Sequence, residues 1–196
     1  MTDNVAPPNL PVSPAAYEQR YQDQFANVLR LFFTRLTNKV NGPNPYASYY
    51  DTTTQTNPVA SAVNIMQFNS SYANLEYAIQ KANDKQIYVT QTGIYNVQFS
   101  AQVDKTGGGN DHIHIWVRVN GQNVADSNSK IVIAGPNDEK IAAWNWMLLL
   151  REGDYVELAW LSASTDMVLL AEAATSTMPA IPSVILTVNW VSAVNI

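Results

Sequence analysis

The chain of 196 residues contains no cysteine, which excludes disulfide bonds, thiolate metal sites and cysteine nucleophiles together. Charged residues are also scarce, at 14% of the sequence, against about 25% in an average soluble domain. The net charge of −5 disfavours nucleic-acid binding, because phosphate contacts require a basic face. Apolar runs such as Met147–Leu150 are far shorter than the roughly 20 residues of a membrane-spanning helix, so we expect no membrane insertion.

Hydrophobic residues nevertheless make up 46% of the chain, which is enough to form a core. The length allows one ordinary domain and an appendage. Asn, Gln, Ser and Thr take the place of charged residues. A surface of neutral polar groups is typical of extracellular or particle-bound proteins, and of proteins that hide much of their surface in an oligomer.

The first fourteen residues contain four of the ten prolines, Pro7, Pro8, Pro11 and Pro14. Proline fixes φ and lacks a backbone donor, so we expect an extended arm over residues 1–14 with no core of its own. One interpretation is a disordered tail. The other is an anchoring arm that orders against a neighbouring subunit, with Pro7, Pro8 and Pro11 as particle-docking residues.

A single helical stalk is predicted over residues 15–42. Ser13 can cap it, Pro14 is tolerated in a first turn, and Asn41-Gly42-Pro43 can end it. Apolar side chains recur at steps of three and four residues, which is helical spacing: Tyr17, Tyr21, Phe25, Val28, Leu29, Phe32, Leu36 and Val40.

This apolar stripe needs a partner, and two are possible. The helix could pack on its own head domain, or three copies could form a three-helix stalk. We favour the stalk, because aromatic residues dominate the stripe and no second long helix is predicted. The expected trimer-interface residues are Tyr17, Tyr21, Phe25, Val28, Phe32 and Leu36.

Residues 43–60 are rich in Tyr, Thr, Asn and Pro and are predicted to be a linker to a head domain over residues 61–196. Alternating patterns from residue 86 onward predict strands, and Asn120-Gly121 predicts a tight hairpin. Many short strands without intervening helices indicate a mainly β fold. We expect a two-sheet antiparallel jelly-roll sandwich preceded by a single N-terminal α-helix.

Three short motifs follow one another within this β region: Gly93–Ser100, Val119-Asn120-Gly121 and Leu149–Leu158. In this order they resemble motifs of the jelly roll shared by tumour necrosis factor and the globular head of the first complement component. The resemblance implies three sandwiches packed about an axis, on which trimers of that fold sometimes hold a cation.

Other segments resemble a domain that recurs in structural and fibre proteins of marine and cyanobacterial tailed phages: Tyr50–Thr56, Phe99–Gly109 and Pro179–Val188. The segment Tyr17–Phe33 is similar to the openings of such proteins. The resemblance implies a homotrimeric virion component that folds in the host cytoplasm and then joins the particle. Its partners would be other virion proteins of the capsid, tail or portal.

Asp111-His112-Ile113-His114 is the one group with metal-ligand character. Residues two apart on a strand share a face, so His112 and His114 could bind one metal ion, with Asp111 nearby. We favour two exposed or interface histidines instead, because no further ligand is evident, and we predict no metal site and no cofactor.

The sequence shows no catalytic constellation, and we expect no enzymatic activity. Gly107-Gly108-Gly109 lacks the Lys and Ser/Thr of a phosphate loop and is expected to be a hairpin loop. Glu152-Gly153-Asp154 is expected to be a turn and not an acid–base pair. The five tryptophans could form a sugar platform but are more typical of core or interface positions.

Three functions therefore compete. The first is a trimeric decoration or fibre-type virion protein that docks through its arm and helix. The second is a receptor-binding module of a tail fibre that recognises a host surface glycan. The third is a hydrolase of capsule or cell wall, which is disfavoured because no acid–base pair is evident.

Overall fold

The computed structural model describes residues 6–41, 44–136 and 138–194. The chain divides into two compact units, Met1–Pro43 and Asn44–Ile196. The first unit contains helix α1, Gln19–Asn41. The second unit, called the head below, contains the strands β1 Tyr46–Asp51, β2 Gln55–Thr56, β3 Asn64–Ile65, β4 Ser70–Tyr77, β5 Ile79–Asn83, β6 Gln86–Val89, β7 Gly93–Lys105, β8 Asp111–Val119, β9 Gln122–Asn123, β10 Ser129–Ile133, β11 Lys140–Leu150, β12 Tyr155–Ser162, β13 Met167–Leu169 and β14 Val184–Ser192.

The strands of the head form two antiparallel sheets. In the first sheet, β11, β7, β14, β1 and β4 lie side by side, and β13 and β2 continue it beside the end of β7. In the second sheet the order is β10, β8, β12, β6 and β5, with β9 beside β8 and β3 beside β12. The chain passes repeatedly between the sheets, as from β6 to β7 to β8. The head is therefore a jelly-roll-like sandwich, and the predicted mainly β fold with one N-terminal helix is confirmed.

The core lies between the two sheets and is built by alternation along the strands. In β7, the longest of the described strands, Tyr95, Val97 and Phe99 are buried and the residues between them point outward. In β8, Ile113, Ile115 and Val117 are buried from the opposite sheet, as the alternating pattern predicted. Removal of this apolar surface from water stabilises the sandwich.

The Asn120-Gly121 hairpin is confirmed. Arg118 pairs with Asn123 across it, and β8 and β9 are joined by two residues. Asn120 and Gly121 both have positive φ values, of 51° and 74°. A type I′ turn requires this backbone, which Asn and Gly adopt more readily than other residues.

The helix begins later than the sequence predicted. Its first amide bonds run from Tyr21 and Gln22 to the carbonyl oxygen of Glu18, at 3.1 and 3.3 Å. The Ser13 hydroxyl bonds to the carbonyl of Pro14, and so it does not cap the helix. Residues 15–18 therefore precede the helix, and the predicted end at Gly42-Pro43 lies outside the described residues.

The predicted linker over residues 43–60 is wrong, because the head begins at Asn44. β1 lies within this segment and is an inner strand between β14 and β4. Ala47, Tyr49 and Asp51 are buried, and the residues between them are partly exposed. Tyrosine favours strands, and here that preference outweighs the flanking prolines and asparagines that suggested a linker.

Candidate functional site

Two large apolar side chains that flank the stripe of α1 are exposed, Leu31 by 50% and Phe33 by 57%. Within the stripe, Phe25 and Phe32 are partly buried. The rings of Tyr21 and Phe25 stack with centroids 6.1 Å apart. Such a helix gains most of its stability from packing its apolar face against a partner.

The six residues expected at the trimer interface are not equally placed. Tyr21, Phe25, Val28 and Phe32 are partly buried on α1. Leu36 is 36% exposed, whereas Tyr17 is 79% exposed and precedes the helix. Helical spacing therefore does not bring Tyr17 into the stripe.

The described part of the predicted arm, residues 6–14, has no helix or strand. Pro7 is exposed, and Pro8 and Pro11 are partly exposed. Their role in particle docking stays a prediction.

The outward side of the first sheet carries no charged residue along β1, β14 and β11, or along β7 from Ile94 to Gln102. We call this surface the neutral face. It is formed by alternate residues whose neighbours point into the core: Tyr46, Ser48 and Tyr50 of β1, Ile185, Thr187 and Asn189 of β14, Ile94, Asn96, Gln98, Ser100 and Gln102 of β7, and Ile141, Ala143, Asn145, Met147 and Leu149 of β11. Depletion of charge is the compositional mark of the core of a protein interface.

The two sides of the neutral face differ in chemistry. On the β11 side, Ile141, Met147 and Leu149 are 66%, 55% and 49% exposed. On the other side lie two pairs of tyrosines, Tyr46 with Tyr77 and Tyr50 with Tyr72, with ring centroids 6.3 and 4.6 Å apart. This surface was not predicted from the sequence, although the lack of charge at alternate positions of 94–102 and 141–149 was a usable signal.

His112 and His114 share a face of β8, but Asp111 does not join them. The histidines lie on the outward side of the second sheet, because Ile113 and Ile115 are fully buried on the other side. His114 Nδ1 is hydrogen-bonded to Asn128 Nδ2 at 3.2 Å. Among the described residues no three His, Asp or Glu side chains converge as metal ligands.

Asp111 instead belongs to an ion pair with a buried lysine. The ammonium of Lys105, which is fully buried, lies 2.5 Å from Asp111 Oδ2. It also donates to the carbonyl oxygens of Gly108 and Gly109, each at 2.7 Å, so its three donors all have acceptors. The hydrogen bond from Lys105 is the main reason that the pKa of Asp111 lies below its usual value, and the Ser164 hydroxyl adds to it.

Lys105 therefore organises the glycine segment 107–109, which was expected to be a hairpin loop. That expectation is wrong, because β7 and β8, which the loop joins, belong to different sheets. A crossover loop needs an anchor other than strand pairing, and the lysine supplies it.

The tryptophans lie mainly against the core, as we favoured. Trp160 is 1% exposed, and Trp144, Trp146 and Trp190 pack against the buried cluster. Trp116 lies on the outward side of the second sheet and donates to Asn123 Oδ1 at 2.8 Å. These positions do not form one exposed aromatic platform.

Comparison with known proteins gives no family: no protein-family model and no curated protein matches this sequence. Within the described residues, the structure contains no helix of the length and apolar character needed to cross a membrane.

Proposed function

We propose that this protein is a non-enzymatic structural component of a tailed-bacteriophage particle, a homotrimer of the decoration or fibre type. In this proposal the heads and the helices form the trimer, and the arm and helix dock on other virion proteins of the capsid, tail or portal. The observation that supports it most directly is the neutral face, with its apolar side and its tyrosine side.

The two different sides of the neutral face can pair between subunits in a head-to-tail ring. A two-fold interface could pair them as well, because residue i of one subunit then contacts residue j of the other and the reverse. The choice of a trimer therefore rests on the resemblance to the jelly roll that packs three sandwiches about an axis. The aliphatic side chains of β11 in one subunit complement the tyrosines of β1 and β4 in the next. Neutral Asn, Gln, Ser and Thr between them can pair across an interface without the desolvation cost of charges.

The apolar stripe of α1 supports the same assembly. A heptad-like aromatic and aliphatic stripe buries its surface when helices from several subunits pack along their length. Three copies of α1 would therefore bury the stripe, including Leu36, which is exposed in one chain.

The virion assignment rests on the resemblance of Tyr50–Thr56, Phe99–Gly109 and Pro179–Val188 to phage structural proteins. The chemistry of the head is compatible with it, because a structural role requires no convergent catalytic or metal-binding side chains. A receptor-binding module on a tail fibre is the second candidate, and a cavity of the head beside β2 and β3 favours it.

The oligomeric state can be tested by sedimentation of the full chain. We expect a mass of roughly three times 21.7 kDa. The double variant Gln98→Lys and Asn145→Lys places charges on the neutral face and should give folded monomers or a much weaker trimer. The matched control is Val132→Lys, because Val132 is 41% exposed on the outward side of the second sheet and should leave the trimer intact.

A monomeric full chain at micromolar concentration would contradict the trimer. An unchanged trimer in the double variant would contradict the use of the neutral face. Docking is tested separately by deletion of residues 1–42, which should leave a folded β head by circular dichroism but abolish its incorporation into particles. Normal incorporation of the shortened protein would contradict docking through the arm and helix.

A further inference from the structure

The head contains a cavity of about 440 Å³ beside β2 and β3. We call it the polar cavity. Two segments, 53–58 and 63–67, form most of its wall, and Lys85 and Trp160 complete it. Its volume lies within the range of small-molecule sites. None of these residues belongs to the neutral face or to α1.

Buried polar side chains hold the two wall segments in place. The side chain of Gln55 joins both segments. Its Nε2 donates to the backbone carbonyl oxygen of Gln67 at 3.0 Å, and its Oε1 accepts from the backbone nitrogen of Gln67 at 2.8 Å. Asn57, which is 1% exposed, donates to the carbonyl oxygens of Ser162 and Ser164 and accepts from Asn64. A fully satisfied buried network of this kind fixes a wall in one conformation before any ligand arrives.

Asp51 fixes the start of the wall in the same way. Its carboxylate is 1% exposed and accepts from the Thr53 amide nitrogen at 2.7 Å and from the Asn69 amide nitrogen at 3.2 Å. The Asp51 carboxylate therefore fixes the backbone at the start of the wall segment, where Thr53 and Thr54 follow it.

Several polar groups that line the cavity have no partner. Among the described residues, the side chains of Thr56, Gln67 and Lys85 make no hydrogen bond or ion pair, and all three are exposed. Trp160 is 1% exposed, and its indole Nε1, like those of Trp144 and Trp190, has no acceptor. The exposed side chains of Thr56, Gln67 and Lys85 are therefore the polar groups available to a ligand.

We propose that the polar cavity binds a short saccharide of one or two sugar units, and that Lys85 favours an acidic one. A sugar presents many hydroxyl groups, which match the hydroxyl of Thr56 and the amide of Gln67. It also presents apolar C–H faces, which match Pro58, Val63 and Ile65 of the same wall. A wholly apolar ligand would leave the polar groups unpaired, and a nucleotide phosphate would meet a single cation, Lys85.

This inference goes beyond the proposed structural role and stands separately from it. A trimer built on the neutral face leaves the cavity residues uninvolved. A monomer in the sedimentation experiment would therefore not contradict saccharide binding. Likewise, failure to bind a saccharide would not contradict the trimer.

The test is saturation-transfer NMR with the full chain and four probes: glucose, N-acetylglucosamine, glucuronate and N-acetylneuraminate. At least one sugar should show saturable binding at millimolar concentration, and glucuronate should bind more tightly than glucose at low salt. Thr56→Val and Gln67→Ala should each weaken binding by about fivefold, the effect of one lost hydrogen bond. Because these side chains are exposed, the variants should keep the melting temperature of the unmodified protein.

Two matched variants control for general effects. Gln80→Ala and Lys130→Gln alter an exposed glutamine and an exposed lysine of β5 and β10, outside the cavity wall, and should leave binding unchanged. Lys85→Gln should remove the preference for glucuronate over glucose. Absence of saturable binding for all four sugars, or full binding by the double variant Thr56→Val and Gln67→Ala, would overturn the proposal. A preference for glucuronate that survives Lys85→Gln would overturn the role of Lys85.

Discussion

The side chain of Asn120 donates a hydrogen bond to Oδ1 of Asp154 at 2.7 Å. Its own Oδ1 accepts from the amide nitrogen of Tyr155 at 3.0 Å. Asn120 and Asp154 belong to two turns that the sequence indicated separately, Asn120-Gly121 and Glu152-Gly153-Asp154. Since β8 and β12 are neighbours in the second sheet, the two turns lie together and brace each other.

Asn120 therefore has two roles: its backbone adopts the positive φ of the turn, and its side chain bonds to the neighbouring turn. Two substitutions separate these roles. Asn120→Gly keeps the positive φ and removes both side-chain bonds, so we expect a loss of about 2 kcal/mol in the free energy of unfolding. Asn120→Ala should cost about 1 kcal/mol more, because alanine is strained at this φ. Urea unfolding of both variants measures the difference. Equal stability of Asn120→Gly and the unmodified protein would show that the bonds between the turns contribute nothing.

Gly93 is required by a close approach of the chain. A Cβ atom there would lie 2.2 Å from Trp190 Nε1 and 2.7 Å from the carbonyl oxygen of Ser192. Gly93→Ala should therefore lower the free energy of unfolding by about 3 kcal/mol through overpacking. Gly108→Ala is the control, because no atom lies within 4 Å of its Cβ position, and it should change stability by less than about 0.5 kcal/mol. Similar unfolding midpoints for the two variants would contradict this explanation.

Local patterns predicted the strands of the head where alternation is strict, as in residues 113–119. They failed at β1, because the buried residues of that strand include Asp51, and because Tyr and Thr beside prolines are also typical of linkers. They also placed the helix start too early, since a hydroxyl at Ser13 cannot show whether it caps a helix or bonds locally.

The candidate surfaces were harder to predict than the strands. The stripe of α1 follows from spacing within one segment. The neutral face depends on the register of strands distant in sequence, such as Gln98 beside Thr187 and Asn145. The polar cavity depends on loops held by buried amides such as Gln55 and Asn57, whose burial the sequence does not reveal. A surface formed by strands and loops that are distant in sequence can be identified only from the structure.

The Lys105–Asp111 ion pair should make the free energy of unfolding depend on pH in the acidic range. Asp111→Asn leaves the buried ammonium of Lys105 without a counter-charge. A fully buried charge left unpaired costs about 3–5 kcal/mol. Because Asp111 is partly exposed, we expect a loss of about 2 kcal/mol near neutral pH.

The pH dependence follows from the lowered pKa of Asp111. A carboxyl whose pKa is lower in the folded state than its ordinary 3.8 stabilises the fold fully above that value. The contribution is lost as the pH falls through the lower, folded-state pKa. The difference in unfolding free energy between the unmodified protein and Asp111→Asn should therefore be constant above about pH 5 and shrink in stronger acid. A difference that stays constant down to strong acid would exclude the ion pair as its source.

The two histidines of β8 should be dispensable for folding. His112 is exposed, His114 is hydrogen-bonded to Asn128, and Asp111 is engaged by Lys105 on the opposite side of the strand. Two imidazoles without a further ligand do not complete the four-coordinate site of a structural zinc ion. The double variant His112→Gln and His114→Gln should therefore shift the melting temperature of the protein by only a few degrees, and a chelator should not change the melting temperature of the unmodified protein. A large drop with chelator, matched by the double variant and reversed by one added divalent ion, would instead establish a metal site shared between subunits through these histidines.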